Sequence, residues 1–439
     1  MKKYFNLNSM VALFAATTLF ACTQEATEGI DSQIVEANIM NELPPQRTYE
    51  EALAIAQEAA DLFDKNGSAT RINQSRTITP SNVQVITTNS STRNASTSDT
   101  LMYVFNYDNN AGFAVVSANR ATEGLIAVTE QGKYIAGEEE NGGFNLYMDM
   151  AKTYVENETR ASIVGPVELT QYRTEETIDT LTVGPYLEVR WGQDWPYNLS
   201  CPTISGQRTK AGCVAIAIAQ IMTYYQHPNS FTVTYAPVVY EQTLGWNYIL
   251  DHKYTEDSND ENCTQCSASG SHPLIASLIR QIGEHVQMEY DVDASGCDSE
   301  MFARSAFQTF GYSCGNYQTY SSGVVKNSLG NRQLVYMRGG ISNNEGHAWV
   351  IDGYRRITKV IKEYVKPKGS PVWEELSSTT TETYYNHINW GWDGDSNGYF
   401  SVNVFNTAIP KDLDSEVNLS GTNYNFTIDL SIIPNISKN

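Results

Sequence analysis

Between Gly212 and Gln226 the chain reads CVAIAIAQIMTYY, and from Val214 to Met222 every residue but Gln220 is apolar. A helix of this composition has no polar face, so it must be buried on all sides in a core. At 439 residues the chain exceeds the usual single domain, which points to two, each able to bury a core. The run opens on Cys213, directly after Gly212. A helix N-terminus offers unpaired N–H groups and partial positive charge, which favour thiolate over thiol and lower a cysteine pKa. Gly212 lets a backbone approach closely, and the N–H of Cys213 can point at an oxyanion. The alternative is a buried structural cysteine, the commoner fate of the residue.

A partner base tips the balance. Of six histidines, His252 and His272 lie in polar loops, His285 in a helix pattern and His387 in a strand pattern, while His227 before Pro228 ends the long helix. His347 differs. In NNEGHAWVIDGY it starts an apolar strand just after Gly346, where a strand-end side chain can face a cleft. Further on, HINWGWDGDSNGYF offers Asn389, whose side-chain oxygen can hold an imidazole in one tautomer, and Trp390, whose indole can cover that bond from water. Gln207, six residues before Cys213, is placed to supply a second oxyanion donor. Together these form a Cys-His-Asn arrangement with a Gln; each alone is weak evidence.

The rest of the chain sets the context. A formal charge of -21 repels phosphate backbones and anionic headgroups, which excludes nucleic acid as a natural partner. Lys2 and Lys3 precede an apolar segment from Met10 to Ala21, ordered like a signal peptide and too short to span a membrane. It ends in Leu19-Phe20-Ala21-Cys22, which resembles a bacterial lipoprotein box with Cys22 as the acylated residue; a plain secretory peptide is the alternative. The expected location is the bacterial cell envelope, outer membrane or cell surface, with the membrane touched only through the lipid. Thr48 to Glu51 has the spacing of a capping box before an amphipathic helix. Thr87 to Thr100 is a polar loop, and two apolar runs around Asp108 to Gly112 signal a hairpin. These make a small α+β domain. Glu156 to Asp179 reads as a polar linker, and a second domain begins near Leu181.

The segments GQRTKAGCVAIAIAQIM, GHAWVIDGY and INWGWDG resemble the streptopain family of secreted bacterial cysteine proteases. WGQDWPYNLSCP is similar to the start of the mature enzymes, and YVFNYDNNAGFAVVSANRATEGLIAVTEQGKY to the family's propeptide. The resemblance implies an α+β chain, a papain-like cysteine protease domain preceded by a smaller α+β propeptide domain. The implied boundaries are a signal peptide at 1–21, an inhibitory propeptide at 22–158, a linker with the activation cleavage at 159–180 and the protease at 181–439. It also implies Cys213 as nucleophile, His347 as general base and acid, Gln207 as oxyanion donor and Trp390 as aromatic shield, with Gly346 and Gly296 against substrate backbone. The partners implied are protein or peptide substrates and the chain's own propeptide, and no metal or organic cofactor is needed. Two other functions stay open with the same residues: a cell-wall peptide amidase using the dyad, and a surface lipoprotein that binds protein without cutting it.

The chain departs from the family pattern in places. Ile216 and Ile218 stand where the family's helix usually carries Thr, a change of packing only. Arg356 to Tyr384 is longer than expected and reads as an extra hairpin turning at Lys366 to Pro371. Asp393 to Gly398 opens like a calcium loop, but its twelfth position is Val404 where such a loop needs Glu, so a polar turn is expected. Cys263-x-x-Cys266 lacks a second CxxC for zinc, and Cys201, Cys263, Cys266, Cys297 and Cys314 make an odd number for disulfides.

Overall fold

Thr48 and Glu51 close the capping box that their spacing predicts: the Thr48 N–H donates to Glu51 Oε2 at 2.8 Å, and the Glu51 N–H to Thr48 Oγ1 at 3.3 Å. This starts helix α1, Tyr49–Asp64. The computed structural model describes residues 4–5, 46–64, 76–79, 82–87, 100–136, 141–158, 172–251, 271–341, 345–366, 371–406 and 428–439. The expectations for Cys22, for most of the Thr87 to Thr100 loop and for Cys263 and Cys266 lie outside the described residues.

Four antiparallel strands follow α1: β1 (Val83–Thr87), β2 (Thr100–Asn106), β3 (Phe113–Ser117) and β4 (Leu125–Thr129). The β2–β3 turn is the hairpin expected at Asp108 to Gly112. Strand alternation sends Phe105, Ala114, Val116 and Val128 to one face, where α1 buries Ala52, Ala56, Ala59 and Phe63. The other face carries Met102, Val104, Phe113 and Val115 and packs on helix α2 (Gly142–Asn157) through Phe144, Tyr147 and Met148. Asn141 caps α2, its side chain accepting from the Phe144 N–H.

The larger domain is built around helix α3 (Cys213–Tyr225), whose residues from Val214 to Thr223 are all buried, as a helix without a polar face requires. Helices α4 (Ser271–His285) and α5 (Ser299–Thr309) complete the core on one side. On the other lies a sheet of β6 (Gln318–Thr319), β7 (Val335–Ile341), β8 (Glu345–Val365), β9 (Glu374–Asn389), β10 (Gly398–Ser401) and β11 (Ile428–Ile433), in the order β6-β11-β7-β8-β9-β10. The hairpin predicted around 366–371 forms: β8 and β9 pair from Val350↔Asn389 out to Val365↔Glu374.

Two features join the domains. First, β10 pairs with β4 (Gly398↔Thr129, Phe400↔Ala127), so the sheet of the N-terminal domain continues that of the larger one. Second, the polar stretch read as a linker is in part a strand: β5 (Tyr172–Val183) runs antiparallel to the outer half of β8, from Tyr172↔Val365 to Val183↔Tyr354. Its polarity misleads because many of its side chains are only half-buried, while its backbone is satisfied by the inserted hairpin. Residues 159–171 lie outside the described residues.

A buried ion pair also crosses the domains. His387 of β9 has Nδ1 2.6 Å from Asp352 Oδ1 of β8, and Nε2 3.4 Å from Glu130 Oε1 of the N-terminal domain. Burial lowers its pKa, but the charges and hydrogen bonds of Asp352 and Glu130 outweigh this and raise it to about 9. A folded value above the unfolded one means that the pair's stabilisation is full below about pH 6.5 and is lost as the pH rises through 9. The melting temperature of the full chain should therefore fall between those pH values. Glu130→Gln should flatten the fall by about 1 kcal/mol, read by melting at both ends of the range. An unchanged slope would remove Glu130 from the pair.

Candidate active site

Gly212 turns the chain into α3 with φ +89°, a left-handed conformation that favours glycine, and Met288 packs where a side chain would project. That turn puts the Cys213 sulfur at the helix start. Burial raises the thiol's pKa, but the charge and hydrogen bond of His347, together with the N–H groups of Ala348 and Val214, outweigh it and hold the pKa below the ordinary value.

His347 follows Gly346 near the start of β8 and is buried. Its pKa moves the opposite way: burial lowers it, while Cys213, by charge and hydrogen bond, and the Trp390 carbonyl raise it above the ordinary value. Opposed shifts on two hydrogen-bonded groups favour the thiolate–imidazolium pair. Nε2 lies 2.8 Å from the Trp390 carbonyl oxygen, which leaves Nδ1 for the thiol.

The structure thus brings together Cys213, His347 and the backbone of Trp390. The bond expected from Asn389 is corrected. Its Nδ2 donates to Val189 O at 2.8 Å and its Oδ1 accepts the Gly391 N–H at 3.1 Å, so the side chain is spent beside the imidazole's partner and not on the imidazole. The Trp390 indole is corrected in the same sense. It is fully buried, donates to Ser396 O and packs on Trp349 at 5.0 Å, and the indoles flanking the imidazole are Trp349 and Trp392, at 6.3 and 6.1 Å. Gln207 lies on the exposed hairpin Thr203 to Arg208, six residues ahead of the thiol. Gly346 is exposed beside His347. Gly296 is exposed too, with both its N–H and its carbonyl bonded to Glu289, so it meets a substrate only through further contacts of that backbone. Its loop faces the site: the next residue, Cys297, is pushed up to about 12 by burial and then by the Cys213 charge.

Three neighbours were not singled out from sequence. The Trp392 indole N–H comes within 3.2 Å of His347 Nε2; the second tryptophan of NWGWDG was its signal. Asn397 accepts the Trp390 N–H at 2.9 Å. Gly143, in the first turn of α2, sits so close to His347 and Trp390 that a β-carbon there would lie 2.5 Å from His347 Cδ2. The Asp393 to Gly398 segment closes as a turn, with the Asp395 N–H donating to Trp392 O at 2.7 Å. Among the described residues no group of three or more His, Cys, Asp or Glu side chains is arranged to hold a metal ion.

Comparison with known proteins fits this geometry. Residues 191–400 match the model of the peptidase C10 family, and residues 44–155 that of the Spi protease inhibitor. The chain carries a peptidase C10 domain. Among curated relatives, streptopain of Streptococcus pyogenes is 25% identical over 344 residues, covering 70% of this chain and 75% of that protein. The thiol protease/hemagglutinin PrtT of Porphyromonas gingivalis is 26% identical over 332 residues, 70% of this chain and 34% of that one. The prointerpain A fragment of Prevotella intermedia shares the fold, with a TM-score of 0.51 and 21% identity over 81% of this chain and 99% of the fragment. This C10 chain is a streptopain-like cysteine endopeptidase preceded by an inhibitor-type propeptide domain, an α+β zymogen.

Proposed function

We propose that the peptidase works through a Cys213–His347 dyad and a thioester acyl-enzyme. The observation that carries this is the hydrogen-bonded pair itself, with the thiol's pKa lowered and the imidazole's raised. The thiolate attacks the scissile carbonyl carbon, forming a C–S bond and pushing the carbonyl electrons onto oxygen. The Cys213 N–H and, after a swing of its exposed side chain, Gln207 steady that oxyanion. His347 gives its proton to the leaving amine as the C–N bond breaks, leaving the thioester. It then takes a proton from water, whose oxygen displaces Cys213 and frees the acid product.

Latency follows from the first turn of α2. Gly143 is seated against the imidazole and the Trp390 ring, where the parts of a bound substrate near His347 would lie. By the same proposal the chain is a lipoprotein of the cell envelope, held through Cys22 after the Lys2, Lys3 and apolar leader. Loss of fatty-acid label from a Cys22→Ser chain would support the anchor, and retained label would refute it.

The dyad is tested by the pH dependence of Cys213 alkylation by iodoacetamide, followed at that residue by peptide mass mapping. An imidazolium partner keeps thiolate present below the ordinary thiol pKa, down to the acidic edge set by the lowered value. His347→Gln should move the profile toward that of a plain cysteine, slowing alkylation on the acidic side of the ordinary thiol pKa. Superimposable profiles would dissolve the pair.

A further inference from the structure

The imidazole's outer nitrogen is held by a backbone carbonyl, so its orientation is only as good as whatever fixes that peptide. We propose that Asn397 and Asn389 are positioning residues of the catalytic histidine, acting together on the two peptides that flank Trp390, Asn397 on Asn389–Trp390 and Asn389 on Trp390–Gly391. This rests on the dyad reading. The N–H on each side of the Trp390 carbonyl is taken by an asparagine: the Trp390 N–H by Asn397 Oδ1 at 2.9 Å, and the Gly391 N–H by Asn389 Oδ1 at 3.1 Å. Asn389 is itself anchored through Nδ2 to Val189 O at 2.8 Å. In a trans peptide the N–H and C=O point in opposite directions. Binding the Gly391 N–H on one side therefore aims the Trp390 carbonyl at the other, where His347 Nε2 waits at 2.8 Å. The backbone reaches this pose with Gly391 at φ +75°. Asn389 and Asn397 are 2% and 5% exposed, so water does not compete for these bonds.

The clamp decides a tautomer. A carbonyl can only accept, so it stabilises Nε2–H and leaves Nδ1 as the base for Cys213. The Trp392 indole can only donate, and at 3.2 Å it stabilises the opposite form, a bare Nε2 with the proton on Nδ1. That form cannot take the thiol's proton. The two arrangements exclude each other, and the clamped carbonyl selects the productive one.

The test uses the full chain, with ¹⁵N-labelled histidine and the His347 signals assigned by loss in His347→Gln. The unsubstituted chain should show Nε2 protonated, together with Nδ1 in the thiolate–imidazolium pair and alone when the imidazole is neutral. Asn397→Ala should shift His347 toward the Nδ1–H form, and Asn397→Asp, which keeps the acceptor oxygen, should hold Nε2–H. Adding Trp392→Phe to Asn397→Ala should return the signal part of the way. On a peptide substrate after processing, Asn397→Ala and Asn389→Ala should lower kcat by about 10- to 100-fold, with KM within about twofold. If Asn397→Ala does not fold, Asn397→Asp and Asn389→Ala carry the test alone. Unaltered tautomer and kcat in the variants, with the His347-dependent alkylation profile intact, would overturn the clamp and spare the dyad. A profile indifferent to His347 would overturn the dyad itself.

Discussion

A chain carrying Cys213→Ala stays at full length in a mild reductant, while the unsubstituted chain shortens to a species beginning between Glu158 and Tyr172. The substitution removes the sulfur on which the proposed acyl-enzyme forms and leaves the α3 N-terminus and His347 in place. Loss of a nucleophile from such a constellation costs about a millionfold in kcat, below any background of processing. The site of shortening follows from the fold. A protease needs an extended, unpaired segment, and from Tyr172 to Val183 the backbone is bound to β8. Cleavage is therefore expected ahead of that strand, which would stay on the mature enzyme. Intact mass decides it. If Cys213→Ala shortens at the same rate, the thiol is not the nucleophile. If both chains stay whole, self-processing fails, and casein hydrolysis after clipping by an added protease then tests the thiol alone.

The fold and its chemistry were legible in the sequence to different depths. The all-apolar run after Cys213 demanded a buried helix, and the glycine before it an abrupt turn, so the setting of Cys213 could be read residue by residue. His347 stood out because a histidine opening an apolar strand after glycine has few structural uses. Asn389 and Trp390 were found at the right place but in the wrong roles. Sequence reports side chains, and the group that reaches the imidazole is a main-chain carbonyl that any residue at position 390 would carry. The strand within the linker was missed for a related reason: its hydrogen bonds belong to the backbone, and its polar side chains do not announce a partner 180 residues away. The seat of α2 on the active site was hidden too, because it depends on the lack of a side chain at Gly143.

That missing side chain makes the second large prediction. Gly143→Ala should release latency, with self-processing about 5- to 150-fold faster. A β-carbon there would lie 2.5 Å from His347 Cδ2 and 2.6 Å from Trp390 Cε3, too close for either ring to tolerate. Neither ring can step aside. Trp390 is fully buried between Trp349 and Phe400, and His347 is tied to Cys213 and to the Trp390 carbonyl. The helix must lift instead, at about 1–3 kcal/mol for an overpacked contact. The cost falls on the docked state alone, since alanine is the better helix former by about 1 kcal/mol wherever the helix is undocked. Gly142→Ala separates the two effects. A β-carbon at Gly142 meets nothing within 4 Å, so that variant gains the same helix propensity without touching the site. Processing should then keep its original rate in Gly142→Ala and rise in Gly143→Ala, both followed by intact mass over time. Equal rates in the two variants would mean that latency is held elsewhere, by the β4–β10 pairing or the His387–Glu130 pair, and not by the helix turn resting on the imidazole.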